Sequence, residues 1–235
     1  MGVVIETKGI SKQFFRKRAD SNIFYPVHEV DFTLKGGEIA VISGASGSGK
    51  TTFINMISGI LEPSEGEINI LGKEIYNMND EELSHFRNEN IGTIPQGQTA
   101  IHSLTIIENV LLPFTMYNKD KDTLEKKRKQ AEELLEKLQI LELRDVMPSE
   151  LSGGELRRMA VARAMIMEPS IIIADEPTSD LDDKNTEIVL NMLKELSKKG
   201  IALLIVTHDK GIVEFADIKY KMQDGILKGG ANEKN

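Results

Sequence analysis

Residues 44–51 read GASGSGKT, with Gly44, Gly49, Lys50 and Thr51 at the fixed places of G-x-x-x-x-G-K-[ST]. That pattern suits the holding of phosphate. Its glycines let the backbone wrap closely enough for successive N–H groups to converge on phosphate oxygens. Ala45, Ser46, Gly47 and Ser48 fill the loop, and Thr52 follows it. Lys50 supplies a point charge for the outer phosphates, and the Thr51 hydroxyl suits a Mg2+ ion. A second group with chemical potential is Asp175-Glu176, which follows the apolar run Ile171 to Ala174. Asp175 can hold Mg2+ through its water shell, and Glu176 can orient or deprotonate an attacking water. A third is Leu151-Ser152-Gly153-Gly154-Glu155, ahead of a helix expected to start at Leu156. A serine and two glycines at a helix N-terminus form a second anion-reading turn. Two such turns beside one nucleotide cradle suggest that the second serves another molecule's nucleotide.

These groups need elements to position them. Glu38 to Ser43 is an apolar run of strand length, and Thr52 to Ile57 has helical spacing, so the glycine loop lies between strand and helix. Val3 to Glu6 and the alternating Val27 to Leu34 predict earlier strands, with Ser11 to Ser21 as a basic, polar segment and Gly36-Gly37 as a turn. Glu67 to Leu71 predicts a further strand, Asn79 to Asn88 a helix with an acidic first turn, and Ile91 to Ile94 a strand that leads into Pro95-Gln96. From Gly97 to Ile166 strand signals fade. There Leu124, Ala131, Leu134, Leu135 and Leu138 form one helical stripe, and the charges around it read as a solvated face. Ile171 to Ala174 and Ile201 to Thr207 are continuous apolar runs, as expected for parallel strands buried on both faces. Asp183 to Lys198 reads as the amphipathic helix between them, and 231–235 as a frayed tail. Alternating strands and helices predict an α/β fold with a parallel sheet and a helical insertion.

Composition sets the outer bounds. The chain has 235 residues, 40% hydrophobic and 28% charged, which is ordinary globular usage. A formal net charge of -8 disfavours a general nucleic-acid-binding surface. The absence of cysteine excludes disulfides and thiolate metal sites. No apolar stretch approaches the ~20 residues that span a bilayer. MGVVIETKGISK has neither the charged start nor the apolar centre of a signal peptide. The expectation is a soluble cytoplasmic protein without direct membrane insertion.

Over essentially its whole length the chain resembles the ATP-binding subunits of ABC transporters. GASGSGKT resembles the Walker A loop, Gln96 the Q-loop glutamine, LSGGE the signature motif and IIIADE the Walker B strand with its catalytic glutamate. Ser179-Asp180-Leu181-Asp182 resembles the D-loop, and His208 in VTHD the switch histidine. The resemblance implies a P-loop NTPase core with a parallel sheet, an N-terminal antiparallel β-subdomain and an inserted α-helical subdomain. The whole of 1–235 then forms one cassette, with its ATP-binding core about 1–96 and 167–230 and its helical subdomain about 97–166. It further implies ATP and Mg2+ as ligands, Glu176 as general base, Lys50 and His208 as stabilisers of γ-phosphate charge, and Thr51, Asp175 and Gln96 around the metal. An early aromatic residue stacks on adenine in this family; Phe14 is the best positional match, with Phe15 adjacent and Tyr25 further off. The implied partners are a membrane permease and a second copy of the chain, joined head to tail over two ATP molecules. Localisation is then peripheral, at the inner face of the cell membrane.

Two positions depart from the commonest pattern. Glu155 stands where glutamine is usual, and Asp180 where a small residue or asparagine is frequent. The glutamate variant resembles the group serving lipoprotein release, macrolide or peptide export, and cell division, as do FRNENIG, PSELSGGE and ADEPT. An exporter is therefore expected, with a regulatory or force-transmitting module of cell-division type as the alternative. Gly97 to Ala100 lacks the aromatic residues expected where that group meets its permease. A chromosome- or repair-type ATPase head needs a long coiled coil after the Q-loop, and only 54 residues separate Gln96 from Leu151. His28, His85 and His102 lack a site context and read as structural.

Overall fold

The computed structural model describes residues 1–15, 23–97, 99–118, 120–179 and 181–230, with the side chains of residues 121 and 210 left aside. The first two strands are β1 (Val3–Phe15) and β2 (Ile23–Lys35), which pair antiparallel with several register shifts. With β4 (Glu65–Ile70) and β5 (Lys73–Glu74) they form a four-stranded antiparallel sheet in the order β2-β1-β4-β5. Part of the expected polar segment is therefore strand: Ser11 to Phe15 belongs to β1 and pairs across to β2. The rest of that segment, 16–21, lies outside the described residues.

The second sheet has six strands in the order β10-β9-β3-β8-β7-β6. At its centre β3 (Ile39–Ser43) lies parallel to β8 (Ala202–Thr207) and to β9 (Ile218–Gln223). Next to β8 comes β7 (Ile171–Asp175), then β6 (Ile91–Ile94), both parallel. β10 (Ile226–Gly229) closes the other edge antiparallel to β9, so the sheet is mixed at that margin. Sequence reading missed these last two strands. In β9 buried Ile218 and Met222 alternate with lysines and Tyr220, and nothing there is a continuous apolar run.

Alternation along the central strands sorts their side chains into two cores. Val41, Ile172, Ala174, Leu203 and Ile205 pack towards α3 (Ile106–Thr115), α4 (Lys121–Lys137), α5 (Gly153–Met165) and α6 (Asp183–Lys198). Ala40, Ile42, Ile171, Ile173, Leu204 and Val206 pack towards α1 (Lys50–Ile57) and the four-stranded sheet. Both faces of the strands are thereby dry, which is why they read as unbroken apolar runs. The predicted α4 stripe is real: Ala131, Leu134, Leu135 and Leu138 are buried and Leu124 packs against them. Two further α-helices among the described residues are α2 (Asp80–Asn90) and the short α7 (Lys210–Glu214).

Helix starts are specified locally. Asn79 with Glu82, Thr105 with Glu108, and Ser152 with Glu155 form reciprocal capping boxes, each satisfying two backbone N–H groups. Asp120, Asp182 and Asp209 cap α4, α6 and α7. The box at Ser152 makes α5 begin at Gly153, three residues before the expected Leu156. Among the described residues, no helix is long and apolar enough to cross a membrane.

Candidate active site

Parallel strands β3, β7 and β8 end side by side, and ligands of such sheets bind beyond their carboxyl ends. Ser43, Asp175 and Thr207 occupy these ends. The glycine loop leaves β3 and turns into α1. Its shape is enforced by close approaches that a side chain would obstruct. A Cβ on Gly49, which has φ 106°, would lie 1.8 Å from Pro26 O, and one on Gly44 would lie 2.3 Å from Met222 O. Gly49 is also the N-cap of α1, and no side chain caps that helix start. Lys50 Nζ donates to Gly44 O (2.8 Å) and Ala45 O (2.9 Å), so its ammonium lies over the loop. Ser48 Oγ is buried and has no hydrogen-bond partner among the described residues.

Across from the loop, the Thr51 hydroxyl donates to Asp175 Oδ2 at 3.2 Å. Burial pushes the Asp175 carboxyl up from its ordinary value; the Thr51 hydrogen bond acts against this, as do the charges of Lys50 and Arg157, while Glu176 reinforces it. A cation at this point would relieve the desolvated charge. The residues fit Mg2+ of the kind carried by nucleotide phosphates: one hydroxyl, one carboxylate and the nearby Gln96 amide leave most positions to phosphate and water. Among the described residues no cluster of three or more His, Cys, Asp or Glu could hold an ion by itself.

Glu176 is the most constrained residue of the site. It has φ 50°, a left-handed conformation that costs a non-glycine residue about 1–2 kcal/mol. Its N–H donates to Val206 O at 2.8 Å, which fixes the turn onto β8. Its carboxylate accepts from the Thr207 hydroxyl (2.8 Å) and the His208 backbone N–H (3.1 Å), and lies 2.6 Å from His208 Nδ1. The carboxylate is nearly buried, with 9% of the side chain exposed, whereas the His208 side chain is 76% exposed. Thr207 Oγ1 also accepts from Asp209 N at 3.0 Å, which leaves its own proton for Glu176. Strained backbone and convergent hydrogen bonds at one carboxylate are what a functional site leads one to expect.

These groups face a cavity of about 780 Å3 lined by the glycine loop, Thr52, Gln96, Asp175, Glu176 and His208. Phe14, Phe24 and Pro26 line its outer side. Phe14 stacks on Phe24 with ring centroids 5.7 Å apart, and Lys12 Nζ lies over it. Of the three early aromatics, Phe14 reaches the cavity, Phe15 points into solvent and Tyr25 stacks on His28. His85 packs on Tyr117, away from the site. Sequence reasoning missed Phe24 and Thr207. An aromatic across a hairpin and a threonine before His208 carry a role only through tertiary neighbours.

Ser152, Gly153 and Gly154 do not line this cavity. The fold brings the loop, Gln96, Asp175, Glu176, His208 and Phe14 together and leaves the Ser152–Gly154 turn elsewhere. Of the expected D-loop, Ser179 bonds to the Glu176 carbonyl and Asp182 caps α6, while Asp180 lies outside the described residues.

A phosphate loop entering a helix, a carboxylate pair at the end of β7, with β8 lying between it and β3, and a hydrogen-bonded glutamate over the cavity define a P-loop nucleoside-triphosphatase. Residues 27–179 match the family model described as ABC transporter. The ABC transporter ATP-binding protein YtrE of Bacillus subtilis is 37% identical over 229 residues, covering 97% of this chain and 98% of that protein. The lipoprotein-releasing system ATP-binding protein LolD of Buchnera aphidicola is 37% identical over 227 residues, covering 96% of each. Among solved structures, the dimeric cassette MJ0796 superposes with a TM-score of 0.91 at 33% identity, over 98% of this chain and 99% of that one. A dimeric post-hydrolysis state of MJ0796, bound to ADP and Pi, gives a TM-score of 0.87 at 33% identity over 96% and 98%. The chain belongs to the ABC transporter family, as an ATP-binding cassette with ATPase activity.

Proposed function

We propose that this chain is the MgATP-hydrolysing subunit of an exporter and drives a separate membrane permease. The cluster Thr207–Glu176–His208, facing Thr51, Asp175 and Lys50 across one cavity, carries this reading. The nucleotide phosphates bind against the N–H groups of residues 44–51, with Lys50 exchanging its loop carbonyls for phosphate oxygens. Phe14 stacks on the base. Mg2+ would be held by Thr51, Asp175 and Gln96, and when bound it neutralises phosphate charge. Glu176, oriented by Thr207 and His208, takes a proton from the attacking water. His208 Nδ1 then releases the carboxylate and turns towards the γ-phosphate, for which its exposure leaves room.

Ser152, Gly153 and Gly154 lie off this cavity, so they serve the nucleotide of a second copy in a head-to-tail dimer. The MJ0796 dimers support that arrangement. We take 97–166 as the helical subdomain that presents this turn, and 1–96 with 167–230 as the ATP-binding core. The likeness to LolD, and Glu155 in the signature, favour a lipoprotein- or peptide-export partner. The subunit would then sit at the cytoplasmic face of the membrane through its permease. Co-purification with that permease followed by a transport assay separates pumping from ATP-driven gating of a membrane partner.

The direct test is Glu176→Gln. Turnover should fall by about a thousandfold or more, since proton transfer and water orientation are lost together. The variant should still bind ATP and elute as a dimer in gel filtration. Hydrolysis at the normal rate removes Glu176 from the role of base.

A further inference from the structure

Helix α5 begins at the Ser152–Gly154 turn, and its second turn carries an arginine that points back into the molecule. Arg157 is 7% exposed, unusual for a guanidinium. Its Nη1 donates to Pro95 O at 2.7 Å and its Nη2 to Ser179 Oγ at 3.0 Å. Ser179 in turn donates its hydroxyl (3.1 Å) and its N–H (3.2 Å) to Glu176 O. Pro95 precedes Gln96, which lines the cavity. One planar cation therefore touches the loop that carries Gln96 and the turn that holds Glu176 in its strained conformation. Six residues on, about 9 Å along the axis, Arg163 donates to Thr99 through its O and Oγ1. The 95–99 loop is thus held to α5 at both ends.

Resting on the reading of Glu176 as base, we propose that Arg157 is a positioning residue, tying the Gln96 loop and the Glu176 turn to the helix that presents Ser152–Gly154. A shift of α5 then cannot leave the chain's own cavity unchanged. Wherever a second chain's nucleotide draws Ser152 and Gly153, the same helix moves Pro95 and, through Ser179, the backbone of Glu176. A guanidinium suits this task because its rigid fork serves two acceptors at fixed geometry, which a lysine ammonium on a flexible stem does not.

The test uses Arg157→Lys, which keeps the charge, and Ser179→Ala and Ser179→Thr, which remove or keep the hydroxyl. We expect kcat to fall roughly ten- to hundredfold in Arg157→Lys and Ser179→Ala, the loss of one hydrogen bond to a charged or strained group. The Kd of a fluorescent ATP analogue should stay within about twofold, because neither residue touches the glycine loop. Ser179→Thr should regain most of the turnover. The proposal is overturned if kcat stays within about twofold of the parent in both variants. It is also overturned if ATP affinity and melting temperature fall in step with kcat, which marks a folding residue. Should Arg157→Lys fail to fold, the Ser179 pair decides alone. Glu176→Gln run alongside separates the two ideas: full turnover there removes the base, whereas the Arg157 result stands on its own split of kcat from Kd.

Discussion

Helices α1 and α5 both begin on glycine- and serine-rich turns, yet the two turns are built in opposite ways. At α1 the N-cap is Gly49, no side chain caps the helix, the first turn holds no acid, and Ser48 Oγ is buried without a partner among the described residues. At α5 the N-cap is Ser152, closed on itself by Glu155: the Ser152 N–H and hydroxyl both donate to Glu155 Oε2, and the Glu155 N–H donates to Ser152 Oγ. Their glycines differ as well. Gly44 and Gly49 sit where a Cβ would collide with backbone, so the fold itself requires them. Around Gly153 a Cβ would meet nothing within 4 Å, and its φ is an ordinary negative one. One turn is shaped by its own chain for a ligand. The other is complete without one, and nothing within 4 Å of a Cβ on Gly153 requires a glycine there.

The sharpest way to break that contrast is at Gly49. Gly49→Ala must move the Pro26 carbonyl and also bear a strained φ. Overpacking and backbone strain together cost about 3 kcal/mol or more. For a chain of this size that lowers the melting temperature by roughly 6–12 °C. ATP binding should be lost as well. A variant that melts and binds ATP like the parent would show that the loop is not held by these contacts.

Gly153→Ala should behave in the opposite way. Within the chain the new methyl has space, and alanine favours helix by up to ~1 kcal/mol, so the melting temperature should hold or rise slightly. If the proposed head-to-tail dimer holds, turnover should nonetheless fall about tenfold or more, since the methyl would then occupy the space through which the second chain's nucleotide phosphate approaches. Unchanged turnover would detach Gly153 from any ligand and return the α5 turn to a purely structural part.

The same contrast decides what could be read from the sequence. Loop 44–51, Asp175 and Glu176 were legible because their demands are local: a strand end, a sharp turn, a helix start. His208 was legible as a residue placed at the end of a buried strand. Arg157, Thr207 and Phe24 were not, because each acts through a neighbour brought up by the fold. Arg157 reaches a carbonyl 62 positions earlier in the chain, and its helix reads as an ordinary run of charge and methionine. The start of α5 was misplaced for a related reason. Gly153-Gly154 argues against helix by propensity, and the reciprocal bonds of Ser152 and Glu155 override it. The antiparallel edge of the main sheet escaped notice because β9 has solvent on part of its length and β10 is four residues long.

The smallest effect concerns Glu155, where charge is the sole variable. The Ser152 hydroxyl, followed by the Ser152 N–H, holds the Glu155 carboxyl below its ordinary value of 4.5. A carboxylate with a depressed folded value adds stability above the unfolded value and loses it as pH falls through the folded one. Glu155→Gln keeps an acceptor for both Ser152 donors and loses the charge at the helix start. At pH 7 it should therefore melt about 1–2 °C lower than the parent, and that gap should close as pH drops below 4.5. The same charge works against an incoming phosphate. At neutral pH the glutamine variant should dimerise at a lower ATP concentration, by a factor of about two to five. If the melting gap appears without the shift in dimerisation, Glu155 is a helix cap and no more. If both appear, the turn that closes on itself in this chain must open when a second chain's nucleotide arrives.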